Sequence, residues 1–552
     1  MAALLFGAAL ALSSCQSSPA EEETRPNVLL IVFEDMSPRI GVYGDKIAET
    51  PVLDAFAEDA ILYEAVFTTA GVCAPSRSSL ITGRYQQEIG TQYMRTGSGG
   101  PIAYEAVPPP DVKAFPETLR AAGYYTTNQG SFGNSPAKLD YQFGRPFTVW
   151  DEDTAEHPWR GRGEGQPFFA MVNILWTHES QTWPLDAEAK HPLVPALLPL
   201  LAASREGRVP VVSPEEVDVP PYLPDTPLVR RDIAQHYDNI HYAEREVARL
   251  LEQLEEDGLI DDTVVIITTD HGDGLPRMKR SLYDSGLRVP LMVRLPSGEG
   301  AGSRSEELIS FIDFAPTLLA LAGVPVPEEL PGRVFIGEAS EPAPDYVFAA
   351  MDRHDAIPDR MRAVRDDRYK YIRNYQTDHP FFRHLRFRDV QPAMAELWRL
   401  REAGELNEVQ RQYFEAPRPV EELYDTEADP HEVVNLAGDP AHEDVLLRMR
   451  AAFDGYMDRT EDLSRVSEDE MIETMWPGGV QPVTAAPEFR RAGGQVILLP
   501  QTEGSSIGYR FEGEPGWRLY TGPIEAGDRT IEAKAVRYGY KESEAVSIAP
   551  SE

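Results

Sequence analysis

Two strand ends in this sequence carry acid. An apolar run, Asn27 to Phe33, closes in Glu34-Asp35, and a second, residues 263–269, closes in Asp270-His271-Gly272-Asp273-Gly274. Carboxylates leaving a buried strand side by side are costly unless a cation lies among them. A hard divalent ion with oxygen ligands meets that need, with His271 as a nitrogen ligand or proton donor. Taken alone, acids at strand ends more often cap helices or turn the chain. A third feature is Val72-Cys73-Ala74-Pro75-Ser76-Arg77. Pro75 suits the first turn of a helix, which puts Cys73 at the positive end of the helix dipole. Arg77, one turn on, can hold a buried anion. A small buried cysteine ahead of an ordinary helix is the plainer alternative.

The elements that must position these residues alternate strand and helix between Arg25 and about Met475. Residues 27–33, 168–175, 263–269 and 289–295 are apolar runs of the kind that form central parallel strands covered on both faces. Residues 236–256 have helical periodicity, with Ile240, Ala243, Val247, Leu250, Leu251 and Leu254 on one face, and residues 307–322 read as a second helix. The expected fold is α/β, with a mixed, largely parallel sheet flanked by helices. Such sheets place ligands beyond the carboxyl ends of their strands, where both acid pairs fall. After Pro477-Gly478-Gly479 the texture changes to short alternating strands between Gly, Pro and Asp turns, which reads as a small β-sandwich.

Several ordered motifs occur together. Arg25-Pro-Asn-Val-Leu-Leu-Ile and Thr50-Pro-Val-Leu-Asp54 precede Cys73-Ala-Pro-Ser-Arg77. Thr269-Asp-His-Gly-Asp273, Gly286-Leu-Arg-Val-Pro290, Tyr369-Lys-Tyr-Ile-Arg373 and Glu422-Leu-Tyr-Asp425 follow it. In this the chain resembles the type I sulfatase family of the alkaline-phosphatase-like superfamily, over residues 25–457. The resemblance implies an alkaline-phosphatase-like fold with a smaller C-terminal α+β subdomain. It also implies that Cys73 is oxidised to formylglycine (3-oxoalanine) by a formylglycine-generating or anaerobic maturation enzyme. Carried over position by position, Glu34, Asp35, Asp270 and His271 become calcium ligands, with the modified Cys73 completing the shell. Arg77 would orient the aldehyde hydrate, Lys138 and Lys279 would bind sulfate, and His178 would bind sulfate or protonate the leaving group. Two positions depart from the pattern: Glu34 stands where Asp is usual, and Asp140 stands where the block around Lys138 ordinarily has histidine.

The implied chemistry is attack on sulfur by a hydroxyl of the hydrated aldehyde, with cationic groups neutralising the sulfate oxygens. Glu34-Asp-Met-Ser-Pro38 with Thr177-His-Glu-Ser180 resembles a branch of glycan sulfatases that includes N-sulfoglucosamine sulfohydrolase-like proteins. The expected function is hydrolysis of sulfate esters, or an N-sulfate, on sulfated polysaccharides or oligosaccharides. Two alternatives stand beside it: a phosphonate or phosphate ester hydrolase on the same site, and a non-catalytic lipoprotein that binds sulfated glycan. Basic residues at Arg360, Arg362, Arg365, Arg368, Lys370 and Arg373, and at Arg383, Arg386 and Arg388, could receive further anionic groups or pair with the chain's own acid.

Composition narrows the field. The 552 residues hold 52 Lys+Arg against 90 Asp+Glu, a formal charge of −38, which argues against nucleic acid as a partner. Hydrophobic residues make up 42% of the chain, enough for a large core. The apolar run at residues 2–12 ends in Leu12-Ser13-Ser14-Cys15, which looks like a bacterial lipobox. That predicts an exported lipoprotein facing the periplasm or on the outer membrane, held only by a lipid anchor at Cys15. The expected organisation is signal peptide and tether over 1–25, catalytic α/β domain over 26–345, C-terminal subdomain over 346–476, and a fibronectin-like β-module over 477–552. For that module a spacer is the plainer reading and glycan contact the sharper one.

Overall fold

The computed structural model describes residues 25–94, 96, 103–130, 138, 140–153, 157–188 and 191–550; the expected leader and Cys15 lie outside them. Its main sheet has the order β3-β4-β1-β5-β6-β2-β7, with β8 also pairing β2. The strands are β1 Asn27–Phe33, β2 Ile61–Phe67, β3 Tyr125–Gly130, β4 Phe168–Ile174, β5 Thr263–Thr269, β6 Arg288–Arg294, β7 Arg304–Ser305 and β8 Ile309–Ser310. β3, β4, β1 and β5 run parallel, so the ends of β4, β1 and β5 open side by side at one edge.

The continuous apolar character of β1 reflects burial on both faces. Val28, Leu30 and Val32 point into one core, and Leu29, Ile31 and Phe33 into the other. The helices α1 Pro51–Glu58, α2 Cys73–Thr82, α3 Phe115–Ala121, α4 Val194–Arg205 and α5 Pro227–Glu256 follow in chain order. α5 lays Ile240, Ala243, Val247, Leu250 and Leu254 against the Leu29 face. Its start lies nine residues before the expected one (236 − 227), because Thr226 caps it and Pro227 opens its first turn.

Two sequence expectations need correcting. The run at 289–295 is a buried strand, but β6 is antiparallel to both β5 and β2. Apolar character reports burial and carries no direction; the connection from β5 to β6 holds only the short helix Asp284–Leu287, so the chain turns back instead of crossing over. Residues 307–322 are not one helix. Ile309–Ser310 joins the sheet, a capping box between Ser310 and Asp313 opens a helical turn, and the α-helix proper is Phe314–Leu321.

A second, antiparallel sheet has the order β12-β11-β10-β9, from β9 Val347–Met351, β10 Met361–Arg365, β11 Tyr369–Asn374 and β12 Glu421–Asp425. The helices Pro392–Ala403 and Glu443–Arg459 cover its faces. The C-terminal strands are β13 Glu488–Ala492, β14 Gln495–Leu499, β15 Ser506–Phe511, β16 Arg518–Leu519, β17 Ile524–Glu525, β18 Ile531–Val536 and β19 Val546–Ile548, and they form two small sheets, β13-β14-β17 and β16-β15-β18-β19. Between them lie Val496, Leu498, Ile507, Phe511 and Ile531. No helix among the described residues is long and apolar enough to cross a membrane.

Candidate active site

The site is assembled where β1, β4 and β5 end and α2 begins. Directly after β1 come Glu34 and Asp35, 1% and 0% exposed, and directly after β5 come Asp270 and His271, both fully buried. Asp35 holds a positive φ of 48°, a left-handed conformation that a short acidic side chain tolerates. Gly274 explains part of the tight packing: a Cβ there would lie 2.7 Å from Asp35 Oδ2 and 2.8 Å from the Cα of Glu179.

α2 delivers Cys73 and Arg77. Its N-cap, Val72, is extended and offers no side-chain cap, so the helix start faces the acids with Cys73 at its first position. Ser76 ties the helix to β5 by donating from Oγ to the Asp270 carbonyl at 2.5 Å. Arg77 is wholly buried and fully engaged. Its Nε donates to Asp270 Oδ2 (2.9 Å), Nη1 to Asn173 Oδ1 (2.7 Å) and Nη2 to Glu34 Oε1 (3.1 Å). It therefore clamps the two strand-end acids together, a role beyond the expected orientation of the nucleophile.

Ligand atoms of Asp35, Cys73, Asp270 and His271 lie within 4.8 Å of one another. Glu34 belongs to an overlapping group with Asp35 and His178. His271 donates from Nδ1 to the Gly272 carbonyl at 2.8 Å, which points Nε2 at Asp35 Oδ1 (3.2 Å) and Cys73 Sγ (3.4 Å). Burial alone would lower the His271 pKa; Asp270 and Asp35 outweigh it and push it up to about 10. Burial pushes Glu34 up to about 7 against the pull of Lys138 and Arg77. For Asp270 the balance is reversed: burial would raise it, and His271 with Arg77 brings it down to about 2. These groups draw positive charge to one buried point.

Two lysines answer that charge. Lys279 donates to both oxygens of Asp35 (2.8 and 2.7 Å) and lies 3.2 Å from Glu179. Lys138 pairs with Glu34 and sits 3.2 Å from Asp140, so the position that departs from the family histidine stays beside the lysine. His178 accepts at Nδ1 from the Ser180 backbone N–H at 3.3 Å, which leaves its proton on Nε2. Burial, reinforced by Lys279, drops its pKa to about 3, so the ring is neutral near pH 7. All nine expected site residues thus converge. Asp273 does not face the cluster but is clasped by Arg39 (2.5 Å) and His236 (3.0 Å).

Three buried residues escaped the sequence reading. Asn173, inside β4, holds Arg77. Glu179 donates its backbone N–H to Asp35 (2.7 Å) and takes a two-pronged bond from Arg280 (2.8 and 2.7 Å). Glu179 and Arg280 adjoin His178 and Lys279, which is the signal that could have found them. The basic run from Arg360 to Arg373 resolves into pairs with the chain's own acid: Arg362 with Asp352 and Asp462, Arg365 with Asp284, Arg368 with Asp425, and Arg373 with Glu421 and Asp454.

The family model described as Sulfatase matches residues 26–324, and that for the N-sulphoglucosamine sulphohydrolase C-terminal region matches residues 277–416. The chain belongs to the sulfatase family. Among its relatives is an ulvan-active sulfatase of Formosa agariphila, 39% identical over 96% of this chain and 92% of the relative. The human N-sulphoglucosamine sulphohydrolase is 26% identical over 86% of this chain and 97% of the relative. A solved protein in complex with its substrate D-glucosamine-2-N,6-O-disulfate shares the fold: TM-score 0.52, 18% identity, covering 79% of this chain and 98% of that one. This sulfatase is accordingly a hydrolase of sulfuric esters, built on the alkaline-phosphatase-like plan.

Proposed function

We propose that this sulfatase removes sulfate from a sulfated polysaccharide or its oligosaccharides, using formylglycine made from Cys73 and a bound calcium ion. The convergence of Cys73, Asp35, Asp270 and His271 within 4.8 Å carries the reading. The donor chemistry fits. Buried carboxylates suit a hard cation, a thiol does not, and the hydrate of an oxidised Cys73 would put oxygen in its place. When bound, calcium would acidify a coordinated hydroxyl and offset charge on the sulfate. The ulvan-active and N-sulphoglucosamine relatives support a glycan as substrate.

The chain's own residues then divide the work. Arg77 fixes the spacing of Glu34 and Asp270 through its planar fork. Lys138 and Lys279 bring two ammonium groups to the same pocket, where they neutralise the oxygens of a leaving sulfate. His178 holds its proton at Nε2 for the oxygen that departs from sulfur. Arg77 and Lys279 are buried and Lys138 and His178 only partly open, which limits water and strengthens each of these interactions. Export with a lipid anchor at Cys15 would place the enzyme where polysaccharide is met.

The test is sulfate release by protein made alongside a maturation enzyme, with peptide mass spectrometry across Cys73. Conversion of Cys73 and release from both an aryl sulfate and ulvan oligosaccharides are expected. Preference for an aryl phosphonate would favour the phosphonate hydrolase alternative, and a retained thiol with binding but no release would favour the non-catalytic one.

A further inference from the structure

A cleft of about 320 Å³ lies between the catalytic domain and the C-terminal β-module. Residues 141–153 supply one wall, including Arg145, Phe147, Trp150 and Asp153, and Trp517 of the module supplies the other. The rings of Phe147 and Trp517 stand 5.8 Å apart, tilted by 59°, and both are half-buried. Arg510 and Lys534 lie over the Trp517 ring at 4.6 and 4.8 Å and brace it. The Asp153 carboxylate at the cleft stays partly open, its side chain 31% exposed.

The two walls are fixed to each other. Arg120 Nη2 donates to the Trp517 carbonyl at 2.5 Å, Lys113 Nζ donates to Gly504 and Ser506 at 2.9 and 2.7 Å, and the Tyr538 hydroxyl donates to Glu117 at 2.9 Å. Along the chain the cleft lies one residue from the active site. Tyr141 lines it and follows Asp140 in the chain, and its ring stacks on Phe143 (5.4 Å), which stacks on Tyr538 of the module (5.0 Å). The nearby charges are paired: Arg145 with Asp153 at 3.5 Å and Arg120 with Asp151 at 2.8 Å.

We propose that this cleft is a glycan subsite walled by the appended module, and that it binds an uncharged sugar ring of the chain whose sulfate is cleaved. Aromatic walls suit the apolar face of a pyranose, the partly open Asp153 carboxylate can accept from its hydroxyls, and paired charges leave no demand for an ionic group. The volume falls at the lower end for small-molecule sites, roughly 300 Å³, as one ring requires. This inference rests on the glycan sulfatase reading and assigns the module a part in it.

The test compares full-length mature enzyme with its Trp517→Ala, Phe147→Leu and Asp153→Ala variants, on size-fractionated ulvan tetrasaccharides and on an aryl sulfate. The ratio of kcat/KM for tetrasaccharide over aryl sulfate should fall about five- to tenfold in each variant, the loss of one aromatic or polar contact. Tetrasaccharide affinity, measured by calorimetry, should fall in step. An unchanged ratio in variants with a parental thermal midpoint overturns the subsite. So does a parent that cleaves the aryl ester but neither binds nor desulfates the tetrasaccharide, and that result leaves the chemistry standing. Failure on both esters sinks the sulfatase reading instead. The subsite then stands only if the parent binds tetrasaccharide and Trp517→Ala weakens it.

Discussion

Arg77 and Asp270 form an ion pair at 2.9 Å in which neither side chain has any solvent exposure. The same guanidinium reaches Glu34 at 3.1 Å, so one residue of α2 holds the acids that end β1 and β5. Removing it leaves Glu34 to Lys138 and Asp270 to His271, each one partner short in a dry interior. Arg77→Ala is expected to cost roughly 3–5 kcal/mol of stability, read by urea denaturation. Arg77→Lys keeps the charge but loses the fork; it should recover part of that stability and little of the turnover. Parental stability in Arg77→Ala would show that the acids do not need the clamp.

Gly274 sets the place of Asp35. A methyl group there must displace Asp35 Oδ2 or the Glu179 backbone, which would lie 2.7 and 2.8 Å away. With calcium as the proposed ion, Gly274→Ala is expected to weaken its binding by about tenfold or more while leaving the fold intact, since one misplaced ligand costs over 1 kcal/mol. Calcium titration followed by thermal shift reads this directly. An unaltered calcium dependence would remove Asp35 from the ligand set.

His178 should matter most where the leaving group is poor. A sugar alkoxide needs its proton; an activated phenolate does not. His178→Ala is therefore expected to lower kcat on a sugar sulfate about 10²- to 10³-fold and on nitrophenyl sulfate far less. Equal losses on both substrates would assign the residue to sulfate binding instead.

Asp462 predicts a pH effect away from the site. Burial would raise its carboxyl, but Arg362 at 2.9 Å outweighs that and lowers it to about 2. A depressed native pKa stabilises above the unfolded value, near 4, and the contribution is lost as pH falls through about 2. The wild-type protein should lose roughly 2 kcal/mol from this group between those limits. Asp462→Asn should be less stable at neutral pH and flatter across that range; an unchanged acid limb in the variant would exclude the pair as its source.

Local features carried much of this in the sequence. The acids at 34–35 and 270–271 were placed by apolar runs whose ends are visible as composition. Cys73 and Arg77 were placed by a proline that fits the first turn of a helix. The C-terminal module announced itself through turn residues and alternating strands. Each of these signals spans a few residues and rests on backbone preference or burial periodicity, so no knowledge of distant partners is needed.

What the tertiary structure alone decided is partnership and direction. A strand buried on both faces looks the same whichever way it runs, so the antiparallel course of β6 had no signature. Arg77 could have met an anion from solvent; the fold gave its three nitrogens to Asp270, Asn173 and Glu34, residues 193, 96 and 43 positions away. The basic run beyond residue 360 could have faced substrate, and folding paired it with internal acid. Trp517 is one aromatic among several in its module, and packing sets it 5.8 Å from Phe147 across a cleft. Such pairings are chosen by long-range packing, which decides where a buried charge or an aromatic face is satisfied, and a linear pattern does not encode that choice.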